Sequence, residues 1–410
     1  MPDVSFTNLL LVVAVAVAAP LCVGYLPRLR VPAVVLEIVG GILIGPSVLG
    51  WAHVDLPVSI LALFGLAFLL FLAGLEIDVH RLRGRLLRYA VLGYLASLIL
   101  GYGASASFQA AGWISQPLLL AITLASTALG LIVPVLKDAR QLHSEIGQVA
   151  LAAASVADFT AIVLLSLFFS SSGGSTGSKA VLLGAFAGLV AVTGLAVSGA
   201  ARSMRLGEVL VRLQDTTAEI RVRFAVLLLV AFTALAEKFG LETILGAFLA
   251  GAIIGLVDRD SASHPRFRTK LEAIGYGFLV PVFFVSSGIR LDLTGLLHSP
   301  SALARVPVFL LALLVVRGLP ALLRLPANGR KPTLALGLLQ ATSLPFIVAA
   351  TQIGVMLGKI TPVTAAALVC AGLLSVLIFP ALALTLLRHG EPEPEPAAAA
   401  GEPALEPHLM

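Results

Sequence analysis

Long runs of predominantly apolar residues, parted by short clusters of charge, Gly and Pro, make up nearly all of this chain. They lie near 8–26, 31–50, 58–76, 87–109, 116–136, 146–169 and 180–201. Six more lie near 220–237, 241–257, 272–289, 304–323, 333–357 and 362–387. About 20 apolar residues cross a bilayer's hydrocarbon core as a helix. The pattern therefore predicts an all-α polytopic membrane protein of about 13 transmembrane helices. Gly and Pro recur inside the runs, as membrane helices tolerate.

Composition agrees with the pattern. The chain is 59% apolar and 12% charged, with a mean hydropathy of +1.02. A soluble domain of this length needs more polar surface. A formal charge of +5 raises nucleic acid as a partner, but 21 of the 27 lysines and arginines fall in short loops on one side of the runs. Those residues read as topology signals, so no nucleic-acid partner is expected. The positive-inside rule puts that side in the cytoplasm, the N-terminus outside and the C-terminus inside, in a cell membrane. Cys22 and Cys370 both fall in apolar runs and imply no disulfide framework.

The transmembrane domain is expected over 1–388. The charged stretch from Arg202 to Arg223 lies within a linker over 171–219, and a Pro/Glu/Ala-rich tail over 389–410 is expected to be disordered. That tail holds no strand, Gly-rich turn and helix in succession, so no nucleotide-binding regulatory domain is expected. No cofactor is expected either.

The two halves, about 8–170 and 220–387, resemble each other in register. LEIVGGILIG from Leu36 answers LETILGAFLAG from Leu241, and FLLFLAGLEIDV ending at Val79 answers VFFVSSGIRLDL ending at Leu293. Ala125-Ser126-Thr127 answers Ala341-Thr342-Ser343. The matching runs are seven apart, an odd number, so the copies must lie upside down relative to each other. Inverted repeats mark secondary transporters, which bind near the midplane where the repeats meet.

The fifth and twelfth runs carry helix breakers beside these small polar residues: Gly130 and Pro134 in one, Pro345 in the other. Two discontinuous helices crossing at the midplane would offer half-helix dipoles and free carbonyls to a cation. A pair of proline kinks held by Ser/Thr back-bonding is the structural alternative.

Charge breaks the repeat. Asp158 lies inside the 21-residue run Val149–Phe169, which is otherwise uncharged, and the matching stretch near Gly372–Ser375 holds no carboxylate. An aspartate at that depth costs about 2.5–3.5 kcal/mol on insertion scales and usually faces a protein interior or a wet cavity. Arg317 is likewise unmatched near Gly101. The two suggest a carboxylate that binds and an arginine that compensates charge or gates, a buried structural ion pair being the alternative. Ser155 shares a helical face with Asp158. A carboxylate with the hydroxyls of Ser155, Ser126 and Thr127 suits a monovalent cation at Asp158. Thr342 and Ser343 supply the second crossed segment. Glu37 and Glu242 match across the repeat, which favours a structural role. Glu76 and Asp78, beside the Arg81–Arg88 cluster, read as interfacial ion pairs, and Glu37 and Glu76 are kept as secondary candidates.

These motifs, from Pro32–Gly50 to Val282–Leu293, resemble the second branch of the monovalent cation:proton antiporter family, which includes sodium–proton antiporters and potassium-efflux systems. The resemblance spans nearly all of residues 8–388. It implies a core domain, with the crossed helices, moving against a dimerisation domain in a homodimer. It also implies exchange of Na⁺ or K⁺ for H⁺. Asp158 matches the family's cation-binding aspartate, whereas Ala157 stands where relatives carry Asp or Asn, and Arg317 stands where electrogenic members carry Lys. One carboxylate swapping one H⁺ for one monovalent cation moves no net charge, so electroneutral 1:1 exchange is expected. The readings set against it are a proton-coupled exporter of an organic solute on the same fold, a channel and an intramembrane enzyme. Neither GYG (101–103 and 275–277) is preceded by the Thr-Val of a potassium filter. Asp158 has no mid-membrane acidic partner for protease chemistry, so no enzyme is expected.

Overall fold

A computed structural model describes residues 6–25, 31–76, 84–129, 132–133, 136, 141–142, 144–169, 177, 181–186, 188, 192–193, 219–257 and 265–388. The tail over 389–410, most of the linker and seventh run, and Gly130, Pro134, Asp78, Arg81 and Arg83 lie outside the described residues.

Every regular element among the described residues is a helix. The first half comprises α1 (Thr7–Tyr25), α2 (Ala33–Ile44), α3 (Leu56–Leu75), α4 (Gly84–Ala110), α5 (Pro117–Leu124) and α6 (Glu145–Phe169). The second comprises α7 (Ile220–Lys238), α8 (Thr243–Val257), α9 (Pro265–Ile274), α10 (Val280–Ile289), α11 (Leu293–His298), α12 (Pro300–Leu313), α13 (Leu325–Asn328), α14 (Arg330–Ala341), α15 (Pro345–Met356) and α16 (Pro362–Arg388). Eight helical stretches among the described residues are long and apolar enough to cross a membrane, and α2 and α8 are shorter apolar helices. The second run was expected over 31–50 but is helical only to Ile44. Gly45 leaves the helix in extended conformation and Pro46 follows it.

Two local irregularities have one cause. A π-helical turn over Gly275–Leu279 precedes Pro281, and another over Leu314–Gly318 precedes Pro320. Proline has no N–H, and its ring collides with the carbonyl four residues back. Widening the turn around Gly277 and Val316 relieves that collision. The second widened turn carries Arg317 and runs on into a 3-10 stretch, Leu319–Arg324.

The halves interlock by exchange. Gly74 on α3 lies so close to α8 that a Cβ would run into the carbonyl oxygen of Phe248. Its repeat counterpart, Gly288 on α10, lies equally close to the carbonyl of Ile38 on α2. Each half thus packs its third apolar run onto the other half's second. Only a residue without a side chain permits that approach.

Candidate functional site

The fifth and twelfth runs are both broken, and the breaks meet. The α5 helix ends at Leu124, residues 126–128 carry no regular structure, and helix resumes at Leu129. The α14 helix ends at Ala341, and α15 begins at Pro345. Between them, the amide of Ala128 donates to the carbonyl of Thr342 at 3.0 Å. The Thr127 hydroxyl donates to the carbonyl of Gln340 at 2.9 Å, and the hydroxyls of Ser126 and Ser343 lie 2.9 Å apart. Backbone groups freed by unwinding are thus satisfied across the crossing, as a buried break requires.

Asp158, at mid-α6, presents its carboxyl to the first break, where it faces the backbone amides of Leu129 and Thr127. It lines a crevice of about 80 Å³ with Thr127, Ala128, Leu129, Glu76, Tyr276 and Pro345 among its walls. A carboxylate, the carbonyls of an unwound segment and a hydroxyl are hard oxygen donors, which suits an alkali cation. Among the described residues, no cluster of three His, Cys, Asp or Glu could hold a metal ion.

Arg317 does not meet Asp158 in an ion pair. Its side chain is 1% exposed, and Nε donates to the Thr127 hydroxyl at 2.7 Å while Nη1 donates to the Ser97 hydroxyl at 3.2 Å. Thr127 is therefore held from two sides, accepting from Arg317 and donating to Gln340. The arginine bonds Thr127, a wall residue of the crevice, and reaches the carboxylate through space rather than by contact.

The other sequence candidates divide. Thr127 and Glu76 share the crevice with Asp158. Ser155 is buried on α6, one turn away, and is not among the residues lining the crevice. Ser126 and Ser343 bond each other across the crossing, whereas the Thr342 hydroxyl donates back to Leu338 at 3.1 Å along its own helix and only the Thr342 carbonyl bonds across. Glu37 is buried on α2 away from the crevice. For Glu76 the ion-pair reading finds a different partner, Arg268 on α9, whose Nη2 lies 3.9 Å away while its Nε pairs with Glu272 at 3.0 Å. Arg81 and Arg83 of the expected cluster lie outside the described residues.

Ser97, Tyr94, Gln340 and Ser375 were not picked from the sequence. Ser97 and Tyr94 lie one turn apart in the fourth run, and their polarity there was the available signal. The Ser375 hydroxyl donates to the carbonyl of Ser343 at 3.1 Å and accepts its amide at 3.3 Å.

The family described as "Sodium/hydrogen exchanger, transmembrane" matches residues 13–387. The chain belongs to that family. Among relatives in the family, YjbQ of Bacillus subtilis (strain 168) is 31% identical over 414 residues, 96% of this chain and 65% of its own length. The chain thus spans just under two thirds of that relative. The Na⁺/H⁺ antiporter of Enterococcus hirae is 30% identical over 65% of this chain and 68% of its own length. The same exchanger fold is seen in the sodium proton antiporter MjNhaP1 of Methanocaldococcus jannaschii at pH 8. That structure covers 93% of this chain and 98% of its own, with a TM-score of 0.66 and 21% identity.

Proposed function

We propose that the protein is a secondary transporter exchanging a monovalent cation, Na⁺ or K⁺, for H⁺ by alternating access, with Asp158 as the exchanging carboxylate. The observation that carries this reading is the Asp158 carboxyl lining a crevice at the break in the fifth run, where the backbone amides of Thr127 and Leu129 face it and Thr127, Ala128 and Glu76 share the walls. Family membership and relatives named as Na⁺/H⁺ antiporters support it. In the cycle Asp158 gives up a proton, takes the cation on the same face, and crosses neutral in both loaded forms. The empty, charged carboxylate does not cross, because desolvating it is too costly. One carboxylate exchanging one proton for one monovalent cation makes the cycle electroneutral.

In this reading Arg317 is a positioning residue that sets the shape of the first break through Thr127. Glu76, at the crevice wall, draws the cation in. Ser155 serves the helix beside the site, and Thr342 with Ser343 forms the neutral half of the crossing. The N-terminus lies outside and the C-terminus in the cytoplasm of a cell membrane. The repeats pair as a core moving against a dimerisation domain in a homodimer.

The test is exchange in liposomes followed with a pH-sensitive dye, with Na⁺, K⁺, Li⁺ or Rb⁺ on one side. Wild type is expected to respond to at least one of these ions, at a rate unchanged by an imposed potential. Asp158→Asn is expected to abolish the response. Exchange retained in that variant removes Asp158 from its role, and a rate that follows the potential removes the 1:1 stoichiometry.

A further inference from the structure

Arg317 presents a second, unspent feature at a cavity that Asp158 does not line. Its Nε and Nη1 are used on Thr127 and Ser97, but Nη2 is buried without a hydrogen-bond partner. Among the described residues no carboxylate lies within ion-pair distance of this guanidinium, although it is 1% exposed and at membrane depth. Buried charges are normally paired.

The same guanidinium lines a small cavity between α4, α6, α14 and the irregular stretch that follows α12. Tyr94 and Arg324 line it too. Both bring a buried polar atom with no partner, the Tyr94 hydroxyl and Arg324 Nε. Tyr94 is 2% exposed and Arg324 8%. Arg324 lies over the Tyr89 ring at 4.6 Å and pairs through Nη2 with Glu145, so its charge is balanced while its Nε–H is not used. Among the cavity's walls the charge without an ion-pair partner is that of Arg317, which feels Asp158 only from beyond ion-pair distance.

A cavity of about 20 Å³ holds one small guest and no polyatomic anion. The chemistry of its walls selects which. The two guanidinium groups can only donate, and the phenol can donate as well. A water molecule can be held as well, since the Gln340 amide on the wall and the phenol oxygen can accept its protons, but it brings no charge opposite Arg317. A monatomic anion accepts all three donors and balances Arg317.

We propose that this cavity is a halide site, occupied by chloride under physiological conditions and held by Arg317, Arg324 and Tyr94. Because the same guanidinium fixes Thr127, the ion stiffens the first break from behind without touching the transported cation. The inference is independent of the exchange reading, and it is tested by binding.

The full-length protein in detergent is melted in sodium chloride, sodium bromide and sodium gluconate at equal Na⁺ and ionic strength. Chloride and bromide are expected to raise the melting temperature saturably over gluconate. Tyr94→Phe keeps the charge and removes one donor, and is expected to move half-saturation several-fold higher. Arg324→Gln is expected to remove the shift. Crystals grown in bromide are expected to show an anomalous peak within hydrogen-bond distance of Arg317 Nη2. Identical melting in chloride and gluconate, a halide shift that Tyr94→Phe leaves unchanged, or bromide crystals without that peak overturns the proposal. The last result assigns the cavity to water or to an adventitious ion elsewhere.

Discussion

The two broken helices have matching backbones and different chemistry. The first break, 126–128, has the Asp158 carboxyl facing the amides of Thr127 and Leu129, and the Arg317 guanidinium bonded to the Thr127 hydroxyl. The second, 342–344, has the Ser375 hydroxyl bonded to the amide and carbonyl of Ser343. Position for position, a hydroxyl stands in one half about where a carboxylate stands in the other. Both devices satisfy backbone groups freed by unwinding, which a membrane interior demands. Only the first also places a group that can hold a proton or a cation in turn. The symmetric part of the molecule is the part that folds, and the asymmetric part is the part proposed to transport.

That contrast can be broken in steps. The largest effect is expected from moving the carboxylate: Asp158→Ser combined with Ser375→Asp should leave no dye-monitored exchange, since Asp158 lines the crevice and Ser375 does not. Exchange restored by the double variant would make the two breaks equivalent. Next comes Arg317→Ala, which removes two charge-assisted hydrogen bonds and should destabilise the protein by about 3 kcal/mol. Arg317→Lys should recover part of the stability, because Lys can donate to Thr127 but not also to Ser97 in the same geometry. Glu76→Gln should raise the apparent KM for the cation several-fold with little change in maximal rate. A loss as complete as that of Asp158→Asn would instead make Glu76 a second exchanging carboxylate. The smallest effect belongs to Ser375→Ala, a neutral bond worth about 1 kcal/mol in melting experiments, with exchange retained.

Much of this arrangement was legible in the chain. The helix breakers and small polar residues of 125–134 and 341–345 are local signals, and local signals survive in a sequence. Asp158 was conspicuous because a charge inside a long apolar run is costly. The boundaries of α4 and α16 fell within a few residues of their apolar runs for the same reason. What could not be read is what depends on distant contact. Arg317 reaches Thr127 and Ser97 across 190 and 220 residues of chain, and no periodicity in its own run points to either. The two unmatched charges suggested a binding carboxylate and an arginine that compensates charge or gates, with an ion pair as the alternative, and neither reading pointed to the hydroxyls that the arginine bonds. Glu76 looked like a surface residue because it ends its helix, yet the packing of α3 against α10 leaves it on the crevice wall. Sequence shows which residues are expensive; the fold decides what each is spent on.

The central claim is that Asp158 releases a proton in order to take a cation. Its most direct test is the number of protons released per cation bound, measured in weakly buffered detergent solution. Wild-type protein, titrated with whichever of Na⁺ and K⁺ drives exchange, is expected to release about one proton for each cation bound, and Asp158→Asn none. Proton release from Asp158→Asn equal to that of wild type, or two protons per cation from the wild type, would contradict the account.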